Sequence, residues 1–194
     1  MMLLSTFSFL SSISTAAVYS ETDRQCENTK DPGDKEPPSP WWKSAVIYEV
    51  YLRSFKDSNG DGVGDIKGLI SKLDYLKSLG VNLIWITPHY DFPNTDNGYD
   101  IRNYNKVLKQ FGTMKDFEAL ISALNQRDMR LMIDLVYNHT SSEHIWFKKS
   151  RASLHNPYRD FYFWCSPHQG KEPNNYPSYF GSSAWEFDPK TQQY

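Results

Sequence analysis

Arg130-Leu131-Met132-Ile133-Asp134-Leu135-Val136-Tyr137-Asn138 is an almost unbroken apolar run with one carboxylate in its middle. A short apolar run bounded by polar residues reads as a buried strand. Val81 to Thr87 (VNLIWIT), closed by Pro88, and Ala45 to Tyr51 (AVIYEVY) have the same character. Between the two earlier runs, Ile66, Leu69, Ile70, Leu73, Leu76 and Leu79 share one helical face, and Gly80 stands where a left-handed C-terminal residue is wanted. Before the last run, Thr113 with Asp116 three residues on is a variant capping box, and Phe117, Leu120, Ile121 and Leu124 supply an apolar stripe. The order is strand, helix, strand, helix, strand. Apolar strands that do not alternate are buried on both faces, as in a parallel sheet covered by helices, so the expected fold class is α/β. A doubly wound sheet is the rival architecture, but no glycine-rich phosphate loop follows the first strand.

Beyond Thr140 the pattern breaks down. Ser141 to Tyr194 is irregular, aromatic and rich in Pro, Gly and Asn, and a long excursion after a third strand is more often functional than structureless. Upstream, residues 21–40 are polar and contain Asp31-Pro32-Gly33-Asp34 and Pro37-Pro38-Ser39-Pro40, which reads as a linker. Residues 1–20 read as a signal peptide, with an apolar stretch from Leu3 to Val18 and small residues Ala16, Ala17 and Ser20 near a cleavage point, although no Lys or Arg precedes it. The stretch is too short and too rich in Ser and Thr for a membrane span, so the expected location is secreted, or periplasmic in a bacterium. The 194 residues suffice for one sizeable core. With 21 basic and 23 acidic side chains and no like-charge run, neither a nucleic acid nor an anionic membrane is an expected partner. The 6 Trp, 13 Tyr and 11 Phe read mainly as core, with a minority free to stack on sugar rings. Cys26 and Cys165 could pair in an oxidising compartment, and no cysteine or histidine cluster has zinc spacing.

Three stretches carry chemistry. In Asp57-Ser58-Asn59-Gly60-Asp61-Gly62-Val63-Gly64-Asp65, oxygen ligands recur at alternate positions, Gly62 permits a tight turn and the Val63 carbonyl fills the gap. A hard cation needs such a crowd of oxygens, but Gly68 stands where an EF-hand has its bidentate Glu, so the loop reads as a cation site outside that family. Asp96-Asn97-Gly98-Tyr99-Asp100 follows the second strand, and Asp134 to His139 closes the third. Asp134 inside an apolar strand is costly unless paired, which favours a functional or networked role. His139 alone could equally be a satisfied structural histidine. His144, His155 and His168 read as surface residues. Asn138-His139-Thr140 is a glycosylation sequon, expected to be inaccessible at the end of a buried strand and therefore unmodified.

In this order, over Trp41 to Tyr194, these motifs resemble glycoside hydrolase family 13, the α-amylase superfamily. The resemblance is nearest to its oligo-1,6-glucosidase, α-glucosidase and sucrose isomerase branch. Asp57 to Asp65 resembles that branch's metal loop, and Asp134-Leu-Val-Tyr-Asn-His139 the family's first signature region. Trp41 to Val46, Pro88-His-Tyr90, Pro93 to Asp100, Asn156 to Asp160 and Pro173 to Ser178 are similar to sucrose isomerases and sucrose hydrolases. Departures are Leu52 in place of Pro, Asn103 in place of Asp, and Ser182-Ser183 in place of a second Gly after Gly181.

The resemblance implies a (β/α)8 TIM barrel with an inserted domain after strand three: about three β/α units over 41–140, and the start of the insert over 141–194. It implies that Asp96 and Tyr99 line the pocket for the non-reducing glucose, that His139 hydrogen-bonds a glucose hydroxyl, and that Asp134 supports the site by orienting a distant arginine. Asp57, Asn59, Asp61, Val63 and Asp65 would hold Ca2+ or Mg2+ structurally. Retention needs two carboxyl groups about 5–5.5 Å apart. In the family these come from strands four and five, which the chain is expected to end before, leaving it inactive alone. The implied substrate is a small oligosaccharide such as sucrose or isomaltose. Alternatives are a sucrose isomerase, in which fructose rather than water attacks the same glucosyl-enzyme, a non-catalytic chain like the heavy chains of amino-acid transporters, and a degenerate sugar-binding fragment.

Overall fold

The structure is a computed structural model and describes residues 39–194. The signal reading and nearly all of the linker reading lie outside the described residues. After a 3-10 turn at Trp41–Ser44 come β1 (Ile47–Val50), α1 (Leu52–Phe55), α2 (Ile66–Ile70), α3 (Leu73–Ser78) and β2 (Leu83–Ile86). A short hairpin follows, β3 (Tyr90–Asp91) and β4 (Asn103–Val107), then α4 (Met114–Asn125), β5 (Arg130–Ile133) and α5 (Ile145–Ser150). Strands β1, β2 and β5 form a parallel sheet in the order β1-β2-β5. The α/β reading and the chain order of its three parallel strands therefore hold.

The packing departs from expectation on one face. Residues in register in a parallel sheet share a face, and alternate rows point to opposite sides. Val50, Ile86 and Ile133 form one row, as do Tyr48, Ile84 and Leu131. Ile84 and Ile86 on that side are fully buried and pack in one core with Leu69, Leu73 and Leu76 of the α2–α3 region and Leu120 and Leu124 of α4. The opposite row is Glu49, Trp85 and Met132, where Glu49 and Met132 are exposed. Among the described residues the helices cover one face only. Among the described residues β1 and β5 each pair on a single edge.

The first helical stripe is two helices, not one. Lys72 N–H turns back to the Leu69 carbonyl at 3.0 Å, a three-residue step that tightens the backbone, while Ser71 Oγ donates to the Gly68 carbonyl at 2.6 Å. Ile66, Leu69, Leu73 and Leu76 are still fully buried, whereas Leu79 is exposed, beyond the end of the stripe. Gly80 takes the expected left-handed conformation, φ +84°. The cap of α4 is a full capping box: Thr113 Oγ1 accepts from Asp116 N–H at 3.2 Å, and the Asp116 carboxylate accepts from Thr113 N–H at 2.8 Å. Ile121 lies outside its buried stripe and is exposed.

Candidate functional site

The hairpin makes the first functional loop possible. Arg102 of the returning arm forks onto Asp91, Nε at 2.8 Å and Nη2 at 2.6 Å, and a third donor reaches Glu143 at 2.9 Å. This clamp closes residues 92–101 into a loop beyond the C-terminal end of β2. Gly98 adopts φ +105°, and a Cβ there would lie 3.0 Å from the Pro88 carbonyl, so the loop needs glycine for both conformation and clearance. Tyr99 N–H donates to the Asp96 carbonyl at 2.9 Å, which turns the Tyr99 side chain toward the sheet.

At the sheet, Asp134 directly follows β5 and keeps the ladder going by donating its N–H to the Ile86 carbonyl at 3.2 Å. Its carboxylate accepts the Tyr99 hydroxyl at 3.0 Å. The His139 ring places Nε2 2.8 Å from the Tyr99 carbonyl and Nδ1 3.2 Å from Asn138 Nδ2. Tyr99, Asp134 and His139 therefore converge beyond the C-terminal ends of β2 and β5, with Asp96 bonded to Tyr99 through its backbone. Burial pushes the Tyr99 phenol up to about 12, helped by its bond to Asp134 and by the negative charges of Asp134, Glu49 and Asp96, so the hydroxyl keeps its proton near neutral pH. An acidic rim with one fixed hydroxyl suits a neutral polyhydroxylated ligand, whose hydroxyls donate to carboxylates.

The oxygen-rich loop is wound by its own carboxylates. Asp57 accepts from the N–H groups of Asn59, Gly60 and Gly62 at 2.7–2.9 Å, which lowers its pKa, the Gly62 bond most. Asn59 Oδ1 accepts from Asp61 N–H at 2.9 Å, and Asp61 Oδ1 from Val63 N–H at 2.8 Å. Asp65 joins the loop to α2: one oxygen caps α2 through Gly68 N–H at 2.7 Å and the other binds Ser58 through N–H and Oγ. The donor chemistry of Asp57, Asn59, Asp61, the Val63 carbonyl and Asp65 fits a hard cation, Asp57, Asp61 and Asp65 each already accepting protein donors on both carboxylate oxygens. Among the described residues no three His, Cys, Asp or Glu side chains gather as a metal-holding group.

Some surface and core assignments change. His144 is buried, 4% exposed, because its Nδ1 caps α5 by accepting from Trp146 N–H at 3.1 Å and its ring packs edge-on against Tyr104. His155 and His168 are exposed, as expected. Asn138 is exposed among the described residues, since β5 ends at Ile133 and the sequon lies outside the strand. Aromatics are less buried than expected: Phe163, Tyr179 and Phe180 are 95%, 97% and 80% exposed. Tyr104 takes a role that the sequence does not announce. Its hydroxyl reaches the carbonyls of Val136 and His139, the latter at 3.0 Å, and so pins the segment that carries His139. A contact across 35 residues leaves no local pattern to read.

The description of the α-amylase catalytic domain matches residues 49–194. The chain belongs to that family. It is 57% identical over 154 residues to an oligo-1,6-glucosidase of Halalkalibacterium halodurans, covering 79% of this chain and 28% of that protein. It is 49% identical over 168 residues to an α-glucosidase of Schizosaccharomyces pombe, covering 84% and 29%. Among solved structures, the trehalulose synthase of Pseudomonas mesoacidophila MX-45 superposes with a TM-score of 0.80 at 65% identity, over 81% of this chain and 28% of that one. The isomaltulose synthase of Protaminobacter rubrum gives 0.79 at 64% identity, over 80% and 28%. The chain thus spans less than a third of the length of these α-amylase relatives. Its parallel sheet and helices are the N-terminal part of the family's (β/α)8 barrel, and Tyr99, Asp134 and His139 lie at the end of that barrel where active sites sit.

Proposed function

We propose that the chain supplies the glucose-holding part of an α-glucosidase-type retaining glycoside hydrolase acting on sucrose or short α-glucosides. The observation that carries this is the convergence of Tyr99, Asp134 and His139 beyond β2 and β5. Tyr99 offers a ring face for a pyranose, Asp96 accepts from its hydroxyls, His139 meets a hydroxyl beside the reacting carbon, and Asp134 orients the groups around it. None of these residues is assigned as nucleophile or general acid/base. The retaining mechanism asks for two further carboxyls flanking the bond. Pure chain is therefore expected to bind glucose or sucrose in a calorimeter without turning over sucrose, maltose or isomaltose. Clear turnover would overturn the assignment of roles, and no detectable heat would overturn the pocket. The solved relatives are named for forming trehalulose and isomaltulose, and the same pocket would serve glucosyl transfer to fructose. Glucose plus fructose as products of a protein carrying this pocket supports hydrolysis; isomaltulose or trehalulose supports isomerisation.

The proposal extends to a structural cation. Asp57, Asn59, Asp61, Val63 and Asp65 would hold Ca2+ or Mg2+, which when bound ties the loop after α1 to the start of α2. Adding Ca2+ after EDTA treatment is expected to raise the unfolding midpoint, and D61A is expected to abolish that rise; a midpoint indifferent to Ca2+ would remove the cation. Secretion belongs to the same proposal, supported by the apolar stretch Leu3 to Val18. Among the described residues, no helix is long and apolar enough to cross a membrane.

A further inference from the structure

The segment that carries His139 lacks a backbone ladder. Asp134 donates the last bond of β5 to the sheet, and from Asn138 to Thr140 no backbone N–H or C=O pairs with another backbone group among the described residues. Such a stretch keeps one conformation only where side chains or solvent take over its polar groups. Two tyrosine hydroxyls do so, from different parts of the chain. Tyr104, in β4, meets the carbonyls of Val136 and His139, so that two carbonyls three residues apart converge on one donor. Tyr162 lies 2.6 Å from Thr140 Oγ1, which itself donates to the Ser141 carbonyl at 3.1 Å. Thr140 has a single proton to give, so the proton between the two hydroxyls is that of Tyr162. The peptide joining His139 to Thr140 is thus gripped from the hairpin on one side and from residues 141–194 on the other.

Both hydroxyls sit on packed rings. Tyr104 is edge-on to Tyr90 and His144 at 5.7 Å, and Tyr162 is edge-on to Phe147 at 5.1 Å. The His139 ring is exposed, and its contact with the Tyr99 carbonyl at 2.8 Å depends on where its backbone is held. We propose that Tyr104 and Tyr162 are positioning residues of the site, whose hydroxyls stand in for the missing ladder and aim the His139 ring at the Tyr99 carbonyl. The purpose of that aim rests on the reading of the site as a sugar pocket; the grip itself does not. Through Tyr162, residues 141–194 take part in the glucose site without touching the sugar.

The test is a long-range proton–nitrogen correlation spectrum of the 194-residue chain labelled with 15N histidine, at pH 8, where an unperturbed imidazole is neutral. H139Q identifies the His139 signal by its disappearance. In wild type the ring is expected to hold its proton on Nε2, and tautomer averaging there would sink the proposal. Y104F and Y162F keep the packed rings and remove only the oxygen. Each is expected to move His139 toward the averaged pattern of an exposed histidine, while the buried His89 keeps its signal and Y75F, at an exposed tyrosine, changes nothing. A His139 pattern unaltered in both variants would overturn the proposal, and so would loss of the His89 signal in both, since the hydroxyls would then be holding the fold and not the ring. Glucose titration separates the two readings. Affinity is expected to fall roughly three- to tenfold in either variant; equal affinity would refute the positioning role, whereas no response in wild type counts against the sugar pocket and leaves the histidine result standing.

Discussion

His89 sits between two aromatic rings, stacked on Phe117 with centroids 4.7 Å apart and on Tyr90 at 4.4 Å. It is 3% exposed, and its Nδ1 has no hydrogen-bond partner among the described residues. Burial pushes its pKa down to about 4, so the fold accepts only the neutral ring. The unfolded chain takes up a proton on this histidine near pH 6.5, whereas the folded one waits until about pH 4. The stability contributed by the neutral ring is therefore complete above pH 6.5 and is lost as pH falls toward 4. Between pH 7 and pH 4.5 the loss is roughly 2–3 kcal/mol. Urea midpoints at the two values should show it in wild type, and H89F should be flatter by that amount; equal slopes would place the acid sensitivity elsewhere. Nothing around His89 in the sequence announces this, since Phe117 reaches it from another element. The oxygen-rich run of residues 57–65 and the loops that carry Asp96, Tyr99, Asp134 and His139 stand out in the sequence because each is a short local run of polar residues. Tyr104 and the Arg102–Asp91 clamp acquire their roles only from partners brought in by folding.

At the scale of elements, the loop from α1 to α2 turns on glycines of two kinds. A Cβ at Gly68 would lie 1.9 Å from the Lys56 carbonyl oxygen, and one at Gly64 would lie 2.0 Å from that of Leu52. These contacts are backbone, so a new side chain cannot push them aside cheaply. Gly60 has open space around it but a φ of +85°, so alanine there meets strain without collision. We expect G68A to destabilise the chain by about 3 kcal/mol or more, and G60A by about 1–2 kcal/mol. Urea denaturation of both variants checks the order; equal losses would mean that the α1–α2 approach is looser than the backbone distances require. The capping box of α4 was readable because Thr113 and Asp116 are three residues apart and need no distant partner. The division between α2 and α3 was not, because an unbroken apolar stripe fits one bent helix or two short ones equally well. The tight turn at Lys72 keeps Leu69 and Leu73 on the same core without changing the stripe.

At the scale of the molecule, β1 and β5 each leave an edge of backbone N–H and C=O groups unpaired among the described residues, beside a face bearing exposed Ile47 and Met132. Such an edge is a template for another strand. The 194-residue chain is expected to self-associate as its concentration rises, seen as a growing weight-average mass in sedimentation velocity. I47K and M132E should each reduce that growth, and a concentration-independent monomer would show that the face is covered. The sequence by itself determined the α/β class, the order of the three parallel strands and the cap of α4, because each depends on periodicity or on residues spaced within one turn, and its motifs carry the resemblance to the α-amylase family. Only the tertiary structure decided which sheet face is covered, that His144 is buried, and that Tyr99, Asp134 and His139 meet. These depend on contacts between residues some 35–40 positions apart. Such contacts form only where packing of the helices on the sheet and closure of the hairpin outweigh the entropy of bringing distant segments together.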